Sequence, residues 1–281
     1  YVADPNDNWW KENCPEIGKA VAAAGRADVI IACIGENTYC ETPGNLNDLN
    51  LSSNQKELVR RLATTGKPVI LVLNEGRPRI IHEIEPLAKA VVHIMLPGNY
   101  GGDALADLIA GDVNFSGKLP FTYPKFINSL ATYDYKPCEQ MGPMEGEYNY
   151  DAVMDVQWPF GYGLSYSTFE YSNLKVTQQA PLHFEISFDV ENTGKYDGEE
   201  VAQLYIRDEY ASVVRALRQL KHFKRFFLKQ GEKKTIVFTL VEEDLSIINQ
   251  KMERIVEPGS FQLMIGAASD DIRLSKTISV K

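Results

Sequence analysis

Residues 16–112 alternate between helical and strand periodicity, and this alternation restricts the possible folds more than any other feature of the sequence. Stretches with apolar residues at helical spacing take turns with short runs that are apolar throughout. The helical stretches are "EIGKAVAAAGRA", "SSNQKELVRRLATTG" and "GGDALADLIAGD", and the apolar runs are "DVIIACIG", "KPVILVLNEG" and "AVVHIML". Continuously apolar strands separated by helices predict an α/β fold, with a mostly parallel sheet sandwiched by helices.

The predicted strands end in residues that suit a ligand site. Gly35-Glu36, Asn74-Glu75 and Pro97-Gly98 each follow one of the apolar runs. Ligands of parallel sheets bind beyond the carboxyl ends of the strands, where the connecting loops meet. We therefore expect the functional site of this part of the chain at that edge of the sheet.

The periodicity changes to two beyond about residue 172. Stretches such as "HFEISFDVENTG" and "KKTIVFTL" alternate apolar and polar residues between turn signals. This pattern predicts an all-β, immunoglobulin-like sandwich, and the lack of a Cys-Trp-Cys core favours the fibronectin-type-three-like variant. We predict two domains: an α/β sandwich domain over residues 1–165, truncated at its start, and a fibronectin-type-three-like domain over residues 166–281.

Composition excludes several classes of function. The sequence has 38 acidic and 29 basic residues, a formal net charge of −9, and its basic cluster at Arg215–Arg225 is interleaved with apolar residues. That cluster predicts a strand with a solvated face, so we expect no nucleic-acid partner. The longest apolar runs fall far short of the roughly 20 residues of a membrane helix, so no membrane span is expected. Neither C-x-x-C nor H-E-x-x-H spacing occurs, and we predict no metal and no cofactor.

The cysteines and the chain start give weaker indications. Cys33 lies in an apolar run and is predicted to be a small core residue, whereas Cys14 and Cys138 are either free or paired. The chain opens on "YVADPNDNWW", which has neither an initiator methionine nor a leader pattern. We therefore expect an upstream portion.

Two carboxylates, Glu36 and Glu41, follow the first apolar run within "GENTYCETPG". Glycosidases use two carboxyl groups on opposite sides of the scissile bond. These two lie on one loop, and nothing in the sequence places them on opposite sides of a substrate. Glu36 directly follows the strand, so we predict a structural carboxylate that accepts backbone N–H bonds or meets an arginine. From chemistry alone, Glu41 is either a solvated loop residue or a catalytic one.

Two further features leave alternatives open. The aromatic residues between Tyr133 and Trp158 either stack on sugar rings or belong to a core at a domain junction. The Gly101-Gly102 pair at a helix start would suit a phosphate, but close packing of the helix explains it as well. Because no G-x-G-x-x-G follows a strand, nucleotide binding is disfavoured.

Taken in order, the motifs resemble the carboxyl-terminal half of glycoside hydrolase family three, the β-glucosidase and exo-β-glycosidase family. The resemblance covers nearly all of the chain, and its most specific stretches are "GDVNFSGKLPFTYP" and "PFGYGLSY". The segments "VENTGKYDGEEVAQLYIRD" and "LKHFKRFFLKQGEKKTIVFTL" resemble the fibronectin-type-three-like domain that follows in many members.

The resemblance implies a function and a site. In this family an aspartate nucleophile lies in an amino-terminal barrel domain, and in many members a glutamate of the following α/β domain is the acid/base. Glu41 matches that glutamate, Glu36 is left as the structural carboxylate, and Tyr39 and Thr42 are expected to line the sugar site. The implied activity is retaining, exo-acting hydrolysis of terminal non-reducing β-D-glucosyl residues, with β-xylosidase activity as the nearest variant.

The expected partners follow from that assignment. They are a β-linked glucoside or oligosaccharide and the barrel domain of the same protein, without which this chain is expected to be inactive. The resemblance also implies a periplasmic or secreted location. The alternative is a noncatalytic pair of modules for carbohydrate binding or assembly.

Overall fold

The structure is a computed structural model that describes residues 16–36, 46–127, 129, 131–139 and 155–281. Cys14, Tyr39, Glu41 and Thr42 lie outside these residues. Two compact units share the chain: residues 1–106 with 124–130, and residues 107–123 with 131–281. The first contains a parallel α/β sheet and the second an antiparallel β-sandwich, so the predicted fold class is confirmed.

The first unit is built on a parallel sheet with strand order β1-β2-β3. The strands are β1 (Ile30–Gly35), β2 (Val69–Asn74) and β3 (Ala90–His93), and the helices are α1 (Ile17–Ala24) and α2 (Ser53–Ala63). A further helix, α3 (Gly101–Ala110), starts in this unit and ends in the second. A short 3-10 helix, Glu85–Leu87, precedes β3. Across the described ranges, every helix is too short or too polar to cross a membrane.

Local signals explain the bounds of α2. The Ser52 hydroxyl caps the helix by accepting a hydrogen bond from the Gln55 N–H at 3.2 Å. The helix ends at Ala63, and Gly66 follows it with a φ of +73°, a conformation that suits glycine. Val59 and Leu62 form its buried face. The helix is thus capped at its start, stopped by glycine and amphipathic between.

The two faces of β1 differ. Ile30, Ala32 and Ile34 are buried, whereas Ile31 and Cys33 point to the opposite face and are exposed. The prediction that Cys33 is a core residue is therefore wrong. An apolar run predicts a strand but does not determine which of its faces is covered, and β1 is an edge strand of the described sheet. The central strand β2 meets the expectation, with Leu71, Val72 and Leu73 fully buried.

The second unit is a sandwich of two antiparallel sheets with strand orders β10-β7-β6 and β14-β13-β8-β9. Its long strands are β6 (Phe169–Ala180), β7 (His183–Asn192), β8 (Gly198–Asp208), β9 (Gln219–Leu228), β10 (Lys233–Leu240), β13 (Gly259–Gly266) and β14 (Ile272–Val280). The short elements of this unit are β5 (Val156–Trp158), α4 (Glu242–Leu245), β11 (Ile247–Ile248) and β12 (Arg254–Ile255), and β4 (Tyr123–Pro124) spans the boundary between the units. Only the later part of the basic cluster falls on β9, where Lys224 and Arg225 are exposed as predicted, whereas Arg215 and Arg218 precede the strand.

The period-two pattern accounts for the core of the sandwich. Along β7 every second residue is buried, and the inward side chains of both sheets form one cluster. The buried residues of β7 are Phe184, Ile186, Phe188, Val190 and Asn192. The core of this unit therefore follows directly from the alternation of apolar and polar residues.

The described members of the aromatic segment pack into the second unit. Tyr133 stacks on Phe160 with ring centroids 4.2 Å apart, and its edge meets the fully buried Tyr205 at 5.9 Å. Trp158 meets the buried Tyr123 edge to face at 5.0 Å. The contacts of Tyr133 and Trp158 therefore favour packing in a core over stacking on sugar rings. Cys138, farther along this segment, is exposed and carries a free thiol.

We expect the Phe188→Ala substitution to lower the free energy of unfolding of the sandwich by about 3–5 kcal/mol, because it empties a fully buried site. The matched control is Phe223→Ala on β9, where the ring is 68% exposed and the expected change is within about 0.5 kcal/mol. Urea denaturation of the two variants measures both values. Equal losses would contradict the assigned core.

Candidate functional site

The carboxyl end of β1 is fixed from two sides. Gly35 has a φ of +142°, and a Cβ atom there would lie 2.1 Å from the carbonyl oxygen of Asn74 on β2. On the other side, the Gln55 side chain of α2 accepts from the Gly35 N–H at 2.8 Å and donates to the Gly35 carbonyl at 3.0 Å. Only glycine fits this position, and the strand end is held between β2 and α2.

The next residue, Glu36, has a buried carboxylate that binds the turn after β2. Its side chain is 1% exposed. Oε2 accepts the backbone N–H groups of Gly76 and Arg77, both at 3.0 Å. Oε1 accepts from Arg77 Nε at 2.8 Å and lies 2.9 Å from Arg79 Nη2. Both oxygens are thus bound by backbone and guanidinium donors.

These contacts determine the ionisation of Glu36. Burial alone raises its pKa, but the Arg77 N–H, the charge of Arg79, the Gly76 N–H and the Arg77 side chain together outweigh burial and lower the pKa. The carboxylate is therefore ionised at neutral pH, and its lone pairs are already engaged. An ionised and fully bound carboxylate is unsuited to donate a proton, which supports the structural role predicted for Glu36.

Glu75 links the end of β2 to the segment that follows β3. Its side chain is fully buried, and Oε1 accepts from the Arg79 N–H at 3.3 Å. The Glu75 N–H donates to the carbonyl of Met95 at 3.1 Å. Together with the Glu36 contacts, these bonds join the ends of β1 and β2 to the segment that follows β3, at the edge where the sequence predicted a site.

The same turn also binds residues 48–50. Arg79 Nη1 donates to the carbonyl of Asp48 at 3.0 Å, and the Ile80 N–H donates to the carbonyl of Leu49 at 2.9 Å. Asn50 and Ile80 pair in a parallel β-bridge. Residues 76–80 therefore contact the chain both before residue 37 and after residue 45.

The structure describes one of the predicted site residues, Glu36. Glu41, Tyr39 and Thr42 lie outside the described residues, so their roles stay predictions. The sequence patterns did not single out Gln55, Arg77 or Arg79. The motif "NEGRPR" held a signal for the two arginines, because it follows the strand that neighbours β1. Within the described residues, no cluster of three or more His, Cys, Asp or Glu side chains suits a metal ion.

Comparison with known proteins identifies the family. The Glycosyl hydrolase family 3 C-terminal domain matches residues 11–166, and the Fibronectin type III-like domain matches residues 200–269. The first match alone covers more than half of the chain. The chain therefore belongs to glycosyl hydrolase family 3, and the resemblance seen in the sequence motifs is confirmed.

Individual relatives agree with this assignment. A β-xylosidase of Formosa agariphila is 41% identical over 98% of this chain, and a periplasmic β-glucosidase of Salmonella typhimurium is 36% identical over 92%. The β-glucosidase of Listeria innocua, solved with glucose, superposes with a TM-score of 0.88 at 29% identity over 97% of this chain. This chain spans 38%, 35% and 39% of those three proteins, respectively.

We expect Glu36→Gln to lower the free energy of unfolding of the first unit by about 3 kcal/mol at neutral pH. The substitution removes the negative charge beside the two arginines and turns the N–H groups of an amide towards N–H donors. The pKa of Glu36 is lowered by folding from its ordinary 4.5, so the carboxylate stabilises the fold above that pH. That contribution is lost as the pH falls through the lowered pKa. The difference between wild type and variant should therefore narrow on acidification.

Urea denaturation at several pH values measures this difference. The control is Glu83→Gln, since Glu83 pairs with Lys56 and Arg60 at the surface and is 40% exposed. Its expected cost is below about 1 kcal/mol. If Glu36→Gln lowered the free energy of unfolding no more than the control does, the structural role of the Glu36 carboxylate would be contradicted.

Proposed function

We propose that the intact protein is a retaining, exo-acting β-glycosidase that hydrolyses terminal non-reducing β-D-glucosyl residues, and that Glu41 is its acid/base. Family membership supports the reaction, and the names of the Salmonella and Listeria relatives support the glucosyl substrate. The observation that carries the proposal is the anchored Glu36. Glu36 is held at the carboxyl end of β1, five residues before Glu41 in the sequence, at the edge where ligands of parallel sheets bind.

The proposed reaction has two steps. An aspartate of an amino-terminal barrel domain attacks the anomeric carbon while Glu41 protonates the glycosidic oxygen. The glycosidic bond breaks, the alcohol leaves, and a covalent glycosyl-enzyme remains. Glu41 then takes a proton from water, which attacks the anomeric carbon and releases the sugar with retained configuration. In retaining enzymes the two carboxyl groups stand about 5–5.5 Å apart.

The two glutamates of "GENTYCETPG" have separate tasks in this mechanism. The first step needs a carboxyl group that carries a proton, and the contacts of Glu36 keep that residue ionised. Glu41 therefore performs the proton transfers, and Glu36 holds the base of the segment. Tyr39 and Thr42, on either side of Glu41 in sequence, line the sugar site in this proposal.

The second candidate substrate is a β-xyloside, which the name of the Formosa relative favours. The ratio of kcat/KM for 4-nitrophenyl β-D-glucopyranoside and β-D-xylopyranoside, measured on the intact protein, decides between them. A higher value for the xyloside would replace the glucosyl assignment. We also propose a periplasmic or secreted location, supported by the periplasmic relative, and cell fractionation tests it.

We expect Glu41→Gln in the intact enzyme to lower kcat/KM for methyl β-D-glucoside by about 10²–10⁴-fold, because an alkoxide leaves poorly without a proton. The loss should be much smaller for 2,4-dinitrophenyl β-D-glucoside, whose leaving group needs no proton. Steady-state kinetics on the two substrates measure this contrast.

The control is Glu242→Gln, an exposed glutamate of α4 that should leave both rates unchanged. If Glu41→Gln lost the same factor of kcat/KM on both substrates, Glu41 would not be the acid. Binding of glucosides by the intact protein without any turnover would overturn the proposed function and favour the noncatalytic alternative.

A further inference from the structure

We propose that Arg79 is a positioning residue for acid/base catalysis, because its guanidinium binds the chain on both sides of the segment that carries Glu41. The inference rests on the proposed function and adds a residue to it. Nη2 lies 2.9 Å from Glu36 Oε1, and Nη1 donates to the Asp48 carbonyl at 3.0 Å. A single planar group thus links residue 36 to residue 48.

The position of Arg79 is itself fixed. Its backbone N–H donates to Oε1 of the fully buried Glu75 at 3.3 Å, and its side chain is only 16% exposed. The next residue, Ile80, is 2% exposed and pairs with Asn50. The guanidinium therefore projects from a backbone that hydrogen bonds hold in place, and it spans the two chain positions that it binds.

Arginine suits this task better than lysine. The fork of the guanidinium directs Nη1 and Nη2 to two acceptors at once, whereas an ammonium group is a single point of charge on a flexible stem. One acceptor here is a buried carboxylate and the other a backbone carbonyl. Lysine is therefore expected to keep one of the two contacts and to release the other.

Tethering both ends restricts the conformations of the segment between them, whatever path that segment follows. Proton transfer requires the carboxyl group within hydrogen-bond reach of the glycosidic oxygen, and a displacement of about 1 Å can cost 10²-fold in rate. Loss of one tether thus acts on the step that needs the proton. It leaves attack by the nucleophile on an activated substrate largely unaffected.

The test compares Arg79→Gln and Arg79→Lys with wild type in the intact enzyme, on methyl and 2,4-dinitrophenyl β-D-glucoside. For Arg79→Gln we expect kcat/KM to fall by about 10–10²-fold on the methyl glucoside and less than about threefold on the dinitrophenyl glucoside. Arg79→Lys should fall between wild type and Arg79→Gln. Arg61→Gln, at an exposed position of α2, is the matched control and should match wild type on both substrates.

Each result has one interpretation. Equal losses on both substrates mean that Arg79 supports the fold without positioning the acid, and they overturn the inference. So does a folded Arg79→Gln variant with wild-type rates, or the failure of both variants to fold. Glu41→Gln in the same series separates the two proposals. If its loss of kcat/KM is the same on both substrates, the assignment of Glu41 as the acid fails. If Glu41→Gln loses more on the methyl glucoside and Arg79→Gln does not, only the role of Arg79 is removed.

Discussion

The candidate site depends on one interaction, the binding of the Glu36 carboxylate by the turn after β2. A carboxylate with a side chain only 1% exposed is costly to bury unless donors surround it, and here two backbone N–H groups and two guanidinium groups do so. The carboxylate in turn neutralises the charges of Arg77 and Arg79, whose side chains are partly buried. The ends of β1 and β2 are therefore fixed relative to each other by charge as well as by the hydrogen bonds of the sheet.

The two units use buried polar groups differently. In the sandwich, the fully buried Asn192 accepts from Ser167 and donates to the backbone carbonyls of Tyr196 and Leu228. Such an amide completes the hydrogen bonding of its own fold. In the α/β unit the buried carboxylates lie at strand ends, the edge where loops carry chemistry. Position within the fold, more than burial, distinguishes the two uses.

The fold class was predictable because helical and strand periodicity can be read from residues that are close together in the sequence. The helices and strands predicted for residues 16–112 are present in the structure. It failed for Cys33, because burial depends on what covers a strand face and not on the strand itself. A carboxylate after a strand and a glycine was enough to predict the kind of contact that Glu36 makes. Its partners Arg77 and Arg79 lie about forty positions along the chain, so the signal in "NEGRPR" becomes readable only once β2 is known to neighbour β1. Glu41 was assigned by resemblance, because the residues alone left it either a solvated loop residue or a catalytic one.

The double attachment of Arg79 also affects how the chain between residues 36 and 48 tolerates changes in length. When both ends of a segment arrive at one turn, the cost of closing the loop between them grows slowly, by about 0.6 kcal/mol for each doubling of length. Insertions and replacements between residues 36 and 48 therefore change the sheet little, provided that the two anchors remain. The sheet edge can therefore keep its contacts while the sequence between the two anchored positions changes.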